Sequence, residues 1–179
     1  MSFLAGGHDA PILSLCWASG MVLSGDRDGR CVVWDLTKGG VPKASVQGHR
    51  GHCTAARAFL SERSGVFITG GQDGLVKVWD VRTKGEPVAE VEAHMTDAGV
   101  GAVGDIECSD AYIVSAGADR SLCVIDPRTF GKLGNLRHHR DFVYSLHVNN
   151  GLSFSGAGDG ALVVHDLSTG FVLVILLLQ

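Results

Sequence analysis

A chain of 179 residues with a formal net charge of −4 fits a single domain, and the acidic balance argues against a sequence-independent nucleic-acid binder, which needs a basic surface. Hydrophobic residues at 45% and charged residues at 19% exclude a disordered tail. The 25 glycines follow no Gly-X-Y period, which excludes collagen and points to many tight turns in an all-β chain.

In chain order, the start MSFLAGGHD lacks the basic and apolar regions of a secretory signal. The first strand signals are PILSLCW, MVLSG and CVVWDL, followed by the polar turn TKGG and the mixed segment VPKASVQG. They are short, apolar or β-branched, and bounded by Gly, Asp and Pro. The stretch SGDRDGRCVVWDL (24–36) then returns as TGGQDGLVKVWDV (69–81), SAGADRSLCVIDP (115–127) and SGAGDGALVVHDL (155–167). Each has Ser or Thr, an Asp four residues on and a second Asp seven further. The first Asp falls at 28, 73, 119 and 159, at spacings of 45, 46 and 40 residues. A histidine stands upstream of each: His8, His49 or His52, His94 and His139. Asp-Gly pairs at 28–29, 73–74 and 159–160 favour tight hairpins, with Arg120 replacing the glycine in the third unit. No long 3.6-residue apolar period appears, so helices should be few. The outer-strand segments EPVAEVEA and GKLGNLRH are mixed, whereas the last, FVLVILLLQ, has neither alternation nor charge and reads as an aggregation-prone edge. Its apolar run, Phe171–Leu178, is far shorter than the roughly 20 residues of a spanning helix.

A period of 40–46 with a Gly-His start and a Trp-Asp end resembles the WD40 repeat family. The signature reads Gly7-His8…Trp34-Asp35 and Gly48-His49…Trp79-Asp80, then decays to Ala93-His94…Ile125-Asp126 and His138-His139…His165-Asp166. The resemblance covers essentially the whole chain. It implies one all-β WD40 domain over 1–179, built from four four-stranded blades of a β-propeller, with repeats at about 7–47, 48–92, 93–137 and 138–179. It also implies a buried hydrogen-bonded tetrad per blade: His8, Ser24, Asp28 and Trp34; His49 (His52 being its rival), Thr69, Asp73 and Trp79; His94, Ser115 and Asp119, with Ile125 at the Trp position; and His139, Ser155 and Asp159, with His165 there. These residues read as structural, not catalytic.

The family usually closes with seven blades, so four make a partial propeller. Each open flank would expose on the order of 400 Å² of apolar face, worth roughly 10 kcal/mol. The sequence therefore predicts either a truncated or mis-spliced product, with the tail after about Gly170 as its scar, or a ring completed by another chain. Ser2–Ala5 could supply an outer strand to a neighbouring blade.

Other motifs carry less. Gly99-Val-Gly101-Ala-Val-Gly104 matches the dinucleotide fingerprint but lacks a following helix and reads as a bulged inner strand. His138, His139 and His147 fall to repeat positions, and the basic cluster 137–140 reads as a solvated loop. Five cysteines (16, 31, 53, 108, 123) without a CxxC pair read as reduced, buried thiols of an intracellular protein, cytoplasmic or nuclear. No metal, cofactor, membrane or nucleic-acid contact is expected, and no enzymatic motif is present. The expected function is a non-enzymatic scaffold for other proteins. The resemblance makes Arg27 and Gln72, just before the first Asp, candidates for partner contact, with Ala118 and Gly158 as their counterparts. Trp79-Asp80-Val81-Arg82 also resembles the WDxR pattern of substrate receptors of cullin–RING ubiquitin ligases, in which Arg82 would meet the adaptor.

Overall fold

A computed structural model of the chain describes residues 6–59, 65–83, 85–96 and 99–177. Ser2–Ala5, the candidate closing strand, lies outside the described residues. The fold repeats one unit four times. Strands β1 (Ile12–Ala18), β2 (Met21–Asp26), β3 (Arg30–Asp35) and β4 (Val41–Gln47) form the first antiparallel sheet. The second contains β5 (Cys53–Ala58), β6 (Val66–Gly71), β7 (Leu75–Asp80) and β8 (Ala89–Glu92). A two-stranded hairpin follows, β9 (Met95–Thr96) and β10 (Gly99–Val100). The third sheet is β11 (Val103–Cys108), β12 (Ile113–Gly117), β13 (Leu122–Ile125) and β14 (Lys132–Leu136). The fourth is β15 (Val143–Asn149), β16 (Leu152–Ala157), β17 (Ala161–Asp166) and β18 (Val172–Leu177). Each sheet runs in sequence order from inner to outer strand. Among the described residues the sole helical turn is a 3-10 turn at Leu36–Lys38, capped by Asp35.

Hairpin chemistry sets the register. Between the second and third strands of every blade, one backbone N–H reaches back three residues at 3.1 Å: Gly29 to Asp26, Gly74 to Gly71, Arg120 to Gly117 and Gly160 to Ala157. The donor takes a positive φ in all four, including Arg120 at 67°. Every inner strand also carries a bulge at the same place, between Ile12 and Ser14, Cys53 and Ala55, Val103 and Asp105, and Val143 and Ser145. The third of these is where the glycine-rich stretch begins its strand.

Each blade has two faces. The leading face carries the Ser/Thr and Trp side chains; the trailing face meets the next blade. Three apolar cores fill the three junctions. Leu23, Cys31 and Val33 of blade one meet Ala56, Ala58 and Phe67 of blade two. Ile68, Val76, Val78 and Val91 meet Val103, Ile106, Ile113 and Ile125. Val114, Ala116, Leu122 and Val124 meet Val143 and Leu146. Polar bonds tie the inner strands across these cores: Ser14 Oγ donates to Cys53 O at 3.0 Å, Thr54 Oγ1 to Val103 O at 2.6 Å, and Leu146 N to Asp105 Oδ2 at 3.1 Å. The fourth blade does not close onto the first. The final apolar segment pairs with β17 as an outer strand and leaves Leu173, Val174, Ile175 and Leu176 exposed.

Candidate interaction rim and its buried supports

The hydrogen-bonded sets lie at one end of the blades, under the loops that precede each inner strand. In blade two, His49 Nδ1 faces Asp73 Oδ1 at 2.9 Å and His49 Nε2 faces Thr69 Oγ1 at 2.7 Å, while Trp79 Nε1–H donates to the same oxygen at 2.8 Å. The chain of donors is then Trp N–H to hydroxyl, hydroxyl to Nε2, and Nδ1–H to carboxylate. His49 fills the tetrad position. His52 instead donates its backbone N–H to Gln72 Oε1 at 3.3 Å.

Blade one departs from the expected set. His8 Nε2 meets Ser24 Oγ at 2.5 Å and Trp34 Nε1–H donates to Ser24 at 2.8 Å, but the carboxylate on His8 Nδ1 is Asp26, at 2.7 Å. Asp28 is exposed. The cause is local. Asp26 stands where blades two and three have Gly71 and Gly117, whose missing Cβ atoms face the histidine ring directly. A carboxylate at that nearer position takes the imidazole first, and it also accepts the N–H groups of Asp28 and Arg30, both at 2.9 Å.

In blade three, His94 meets Asp119 at 2.7 Å and Ser115 at 2.9 Å, with Ile125 supplying no donor. Ser121 Oγ donates to Asp119 at 2.7 Å in addition. Burial alone would raise the Asp119 pKa. The bonds from His94 and Ser121 outweigh it and hold the carboxyl down at about 2. In blade four, His139 meets Ser155 at 2.8 Å and Asp159 at 3.4 Å. His165, at the Trp position, turns Nε2 to His138 Nδ1 at 2.9 Å and leaves Nδ1 buried without a partner. Burial, then the neighbouring His138 and His139, push its pKa down to about 4, so it is neutral near pH 7.

A Ser–His–Asp order repeated in this way invites comparison with a hydrolytic triad. Access decides against it. Ser24, Thr69, Ser115 and Ser155 are all buried, and two of the four oxygens are already capped by a tryptophan N–H. Among the described residues no group of three His, Cys, Asp or Glu side chains is arranged to hold a metal. All five cysteines are free; Cys31 and Cys53 touch across the first junction with sulfurs 3.5 Å apart. Burial raises the thiols of Cys16 and Cys108 to about 12. No helix among the described residues is long and apolar enough to cross a membrane.

Above the sets, Arg27, Gln72, Ala118 and Gly158 occupy equivalent exposed positions. Each donates its backbone N–H to the loop before its inner strand, at 2.8–2.9 Å: to Pro11, His52, Ala102 and Phe142 in turn. The rim around them is rich in arginine. Arg27, Arg50, Arg120, Arg137 and Arg140 are exposed there, against the exposed carboxylates of Asp9, Asp28, Glu92 and Asp141 among the described residues. Arg120 and Arg137 flank an open cleft of about 710 Å³, floored by Gly101, Ala118 and Asp119. These arginines, apart from Arg27, were not singled out by sequence reasoning as binding residues. Their shared position, next to the tetrad His or in the turn after the second strand, is the signal that finds them. Arg82 lies at the opposite end, where Asp80 grips its guanidinium at 2.5–3.0 Å.

Fold and buried sets together define a WD40-type β-propeller assembled from four blades. Residues 2–35 and 40–80 match the WD40 family (WD domain, G-beta repeat). Among solved structures it is similar to the computationally designed Ika4 protein, with a TM-score of 0.79 and 29% identity over 90% of this chain and 94% of that one. It is also similar to the WD40 β-propeller domain of Doa1, with a TM-score of 0.79 and 22% identity over 98% of this chain and 56% of that one. The chain thus spans just over half the length of the Doa1 chain. No curated protein matches the sequence.

Proposed function

We propose that the chain is a non-enzymatic scaffold that holds partner proteins on its arginine-bearing rim, through acidic segments of those partners. The gathering of arginine on that rim carries this reading. A chain of net charge −4 places five exposed arginines on one rim. At the other end, among the described residues, the exposed groups are Lys38, Arg82 and Arg128 beside Glu86 and Asp110, and Asp80 and Asp126 hold the two arginines. Arginine is favoured at interface hot spots because its planar fork pairs carboxylates bidentately. Rigid blades beneath hold the loops in place, so little ordering cost attends binding. A duplex nucleic acid would need a longer basic track than this rim offers.

The test is affinity capture with the wild-type chain and with Arg27→Glu/Arg120→Glu, which alters exposed side chains outside the buried sets. Captured proteins should carry acidic segments and be lost from the double variant. An unchanged set of bound proteins would defeat the reading. A second reading, that Arg82 docks a cullin–RING adaptor, is favoured by its exposure and by the way Asp80 holds the guanidinium outward. Adaptor recovery should then fall with Arg82→Ala; equal recovery, or none from either protein, rejects it.

A further inference from the structure

The three junctions inside the chain show what each face of a blade requires, and the two end faces fail that requirement in matching ways. On the leading side, Ile12 corresponds by register to Cys53, Val103 and Val143, each 0% exposed, yet Ile12 is 48% exposed. Leu15 corresponds to Ala56, Ile106 and Leu146, which are 0–4% exposed, yet Leu15 is 60% exposed. Trp17 beside it is 61% exposed. On the trailing side, Leu162 corresponds to Cys31, Val76 and Leu122, buried in their junctions, yet it is 41% exposed. Glycine gives the same result. A Cβ on Gly25 would strike Cys53, and one on Gly70 would strike Val103 and Ile106, whereas the equivalent Gly156 faces open space. An open apolar cleft of about 490 Å³ lies there, lined by Tyr144, Gly156, Ala157, Ala161, Leu162 and Leu176.

We propose that two copies of this chain associate head to tail, the leading face of blade one in each seating on the trailing face of blade four in the other, to close an eight-bladed ring. By the register of the internal junctions, Ile12 and Leu15 of one copy cover Gly156 and Leu162 of the other. Both halves of the missing junction are present on one chain, so a second copy satisfies both ends at once. A two-fold axis through the ring centre makes the two contacts identical and leaves no free end. Length is compatible with this. The four blades cover 56% of the Doa1 chain, so one copy falls short of a full circle and two copies together slightly exceed that length, as a ring wider than that one requires. At on the order of 400 Å² of apolar face per flank, two junctions would bury about 1,600 Å², within the range of stable specific interfaces. The ring would also make one continuous rim from two half-rims, independently of what that rim binds.

Sedimentation velocity on the 179-residue chain across the micromolar range tests this. The expected species has twice the 18.8 kDa chain mass. Leu15→Asp and Leu162→Asp alter residues that are exposed in the single chain, so each variant should keep its near-UV circular dichroism and sediment as a monomer. Mixed in equal amounts, they retain one intact face pair and should recover a species of double mass. Gly156→Leu fills the cleft without touching the blade core and should weaken association at least tenfold. A wild-type monomer at every concentration, a ladder of larger species, or a dimer indifferent to all three variants would each overturn the proposal.

Discussion

At the scale of single residues, the Gly-His start of a repeat is coupled to its Trp-Asp end by contact. A Cβ on Gly7 would press into the six-membered ring of Trp34, and one on Gly48 would approach both Cys31 and Trp79. Where the tryptophan is lost, the glycine is lost with it: Ala93 stands with Ile125, and His138 packs on His165 with ring centroids 4.9 Å apart. Gly7→Ala should therefore destabilise the chain by about 1–3 kcal/mol through overpacking. The double variant Gly7→Ala/Trp34→Ile should lose less than the sum of its two single losses, because the clash and its cause are removed together. A urea-denaturation cycle measures this; strict additivity would contradict it. The His138–His165 pair supplies a second expectation. Burial and two neighbouring imidazoles lower His165 to about 4, below its unfolded value near 6.5. The unfolded chain then binds the proton more readily, so stability is lost as pH falls from about 6.5 to 4. His165→Phe should flatten the dependence in that window. Asp119 acts lower: its carboxyl, held at about 2, contributes stability that disappears only as pH falls from near 4 through 2. Sequence phasing pointed to Asp28 as the first carboxylate, whereas His8 meets Asp26, two residues earlier. Asp26 and Asp28 both follow Ser24, and a spacing rule cannot see that a carboxylate at the glycine position reaches the imidazole first.

At the scale of elements, the hairpin between second and third strands is legible because its chemistry repeats at a fixed offset. A positive φ after a three-residue turn favours glycine, and three of four blades have it. Arg120→Gly should raise stability by up to about 1 kcal/mol, since the left-handed conformation costs a side-chain residue about that much. Gly29→Ala should do the reverse and more strongly, because the new Cβ meets the carbonyl oxygens of His49 and Gly51 besides carrying the wrong φ. Thermal unfolding of both variants is a sufficient measurement. The short β9–β10 hairpin was not legible. In blades one, two and four the inner strand begins four residues after the histidine, at Ile12, Cys53 and Val143; in blade three it begins nine residues after His94, at Val103. The glycine-rich stretch that looks like a dinucleotide loop is partly this insertion. Gly101 packs where a Cβ would meet the backbone of Asp119, and the chain then enters a bulged strand, not a helix.

At the scale of the whole molecule, four blades joined only to their neighbours form a short one-dimensional array, whose local stability depends on how many junctions each blade shares. Blades two and three each share two apolar cores; blades one and four share one. Amide hydrogen exchange at low concentration should therefore run fastest in β1–β2 and β17–β18 and slowest in β6–β7 and β12–β13. The backbone ladders are longer in the end sheets, with strands of 6–7 residues against 4–6 in the middle two, so hydrogen-bond count would predict the opposite gradient. The difference must come from side-chain burial, in which Leu15 and Leu162 at the ends contrast with Ile106 and Val76 inside. Concentration separates an intrinsic weakness of the terminal blades from an unsatisfied junction. If the end faces pair between copies, protection in β1 and β17 should rise with protein concentration while that of β7 and β12 stays constant. If terminal exchange stays fast at every concentration, the end blades are weak in themselves, and the exposed leucines there stabilise nothing.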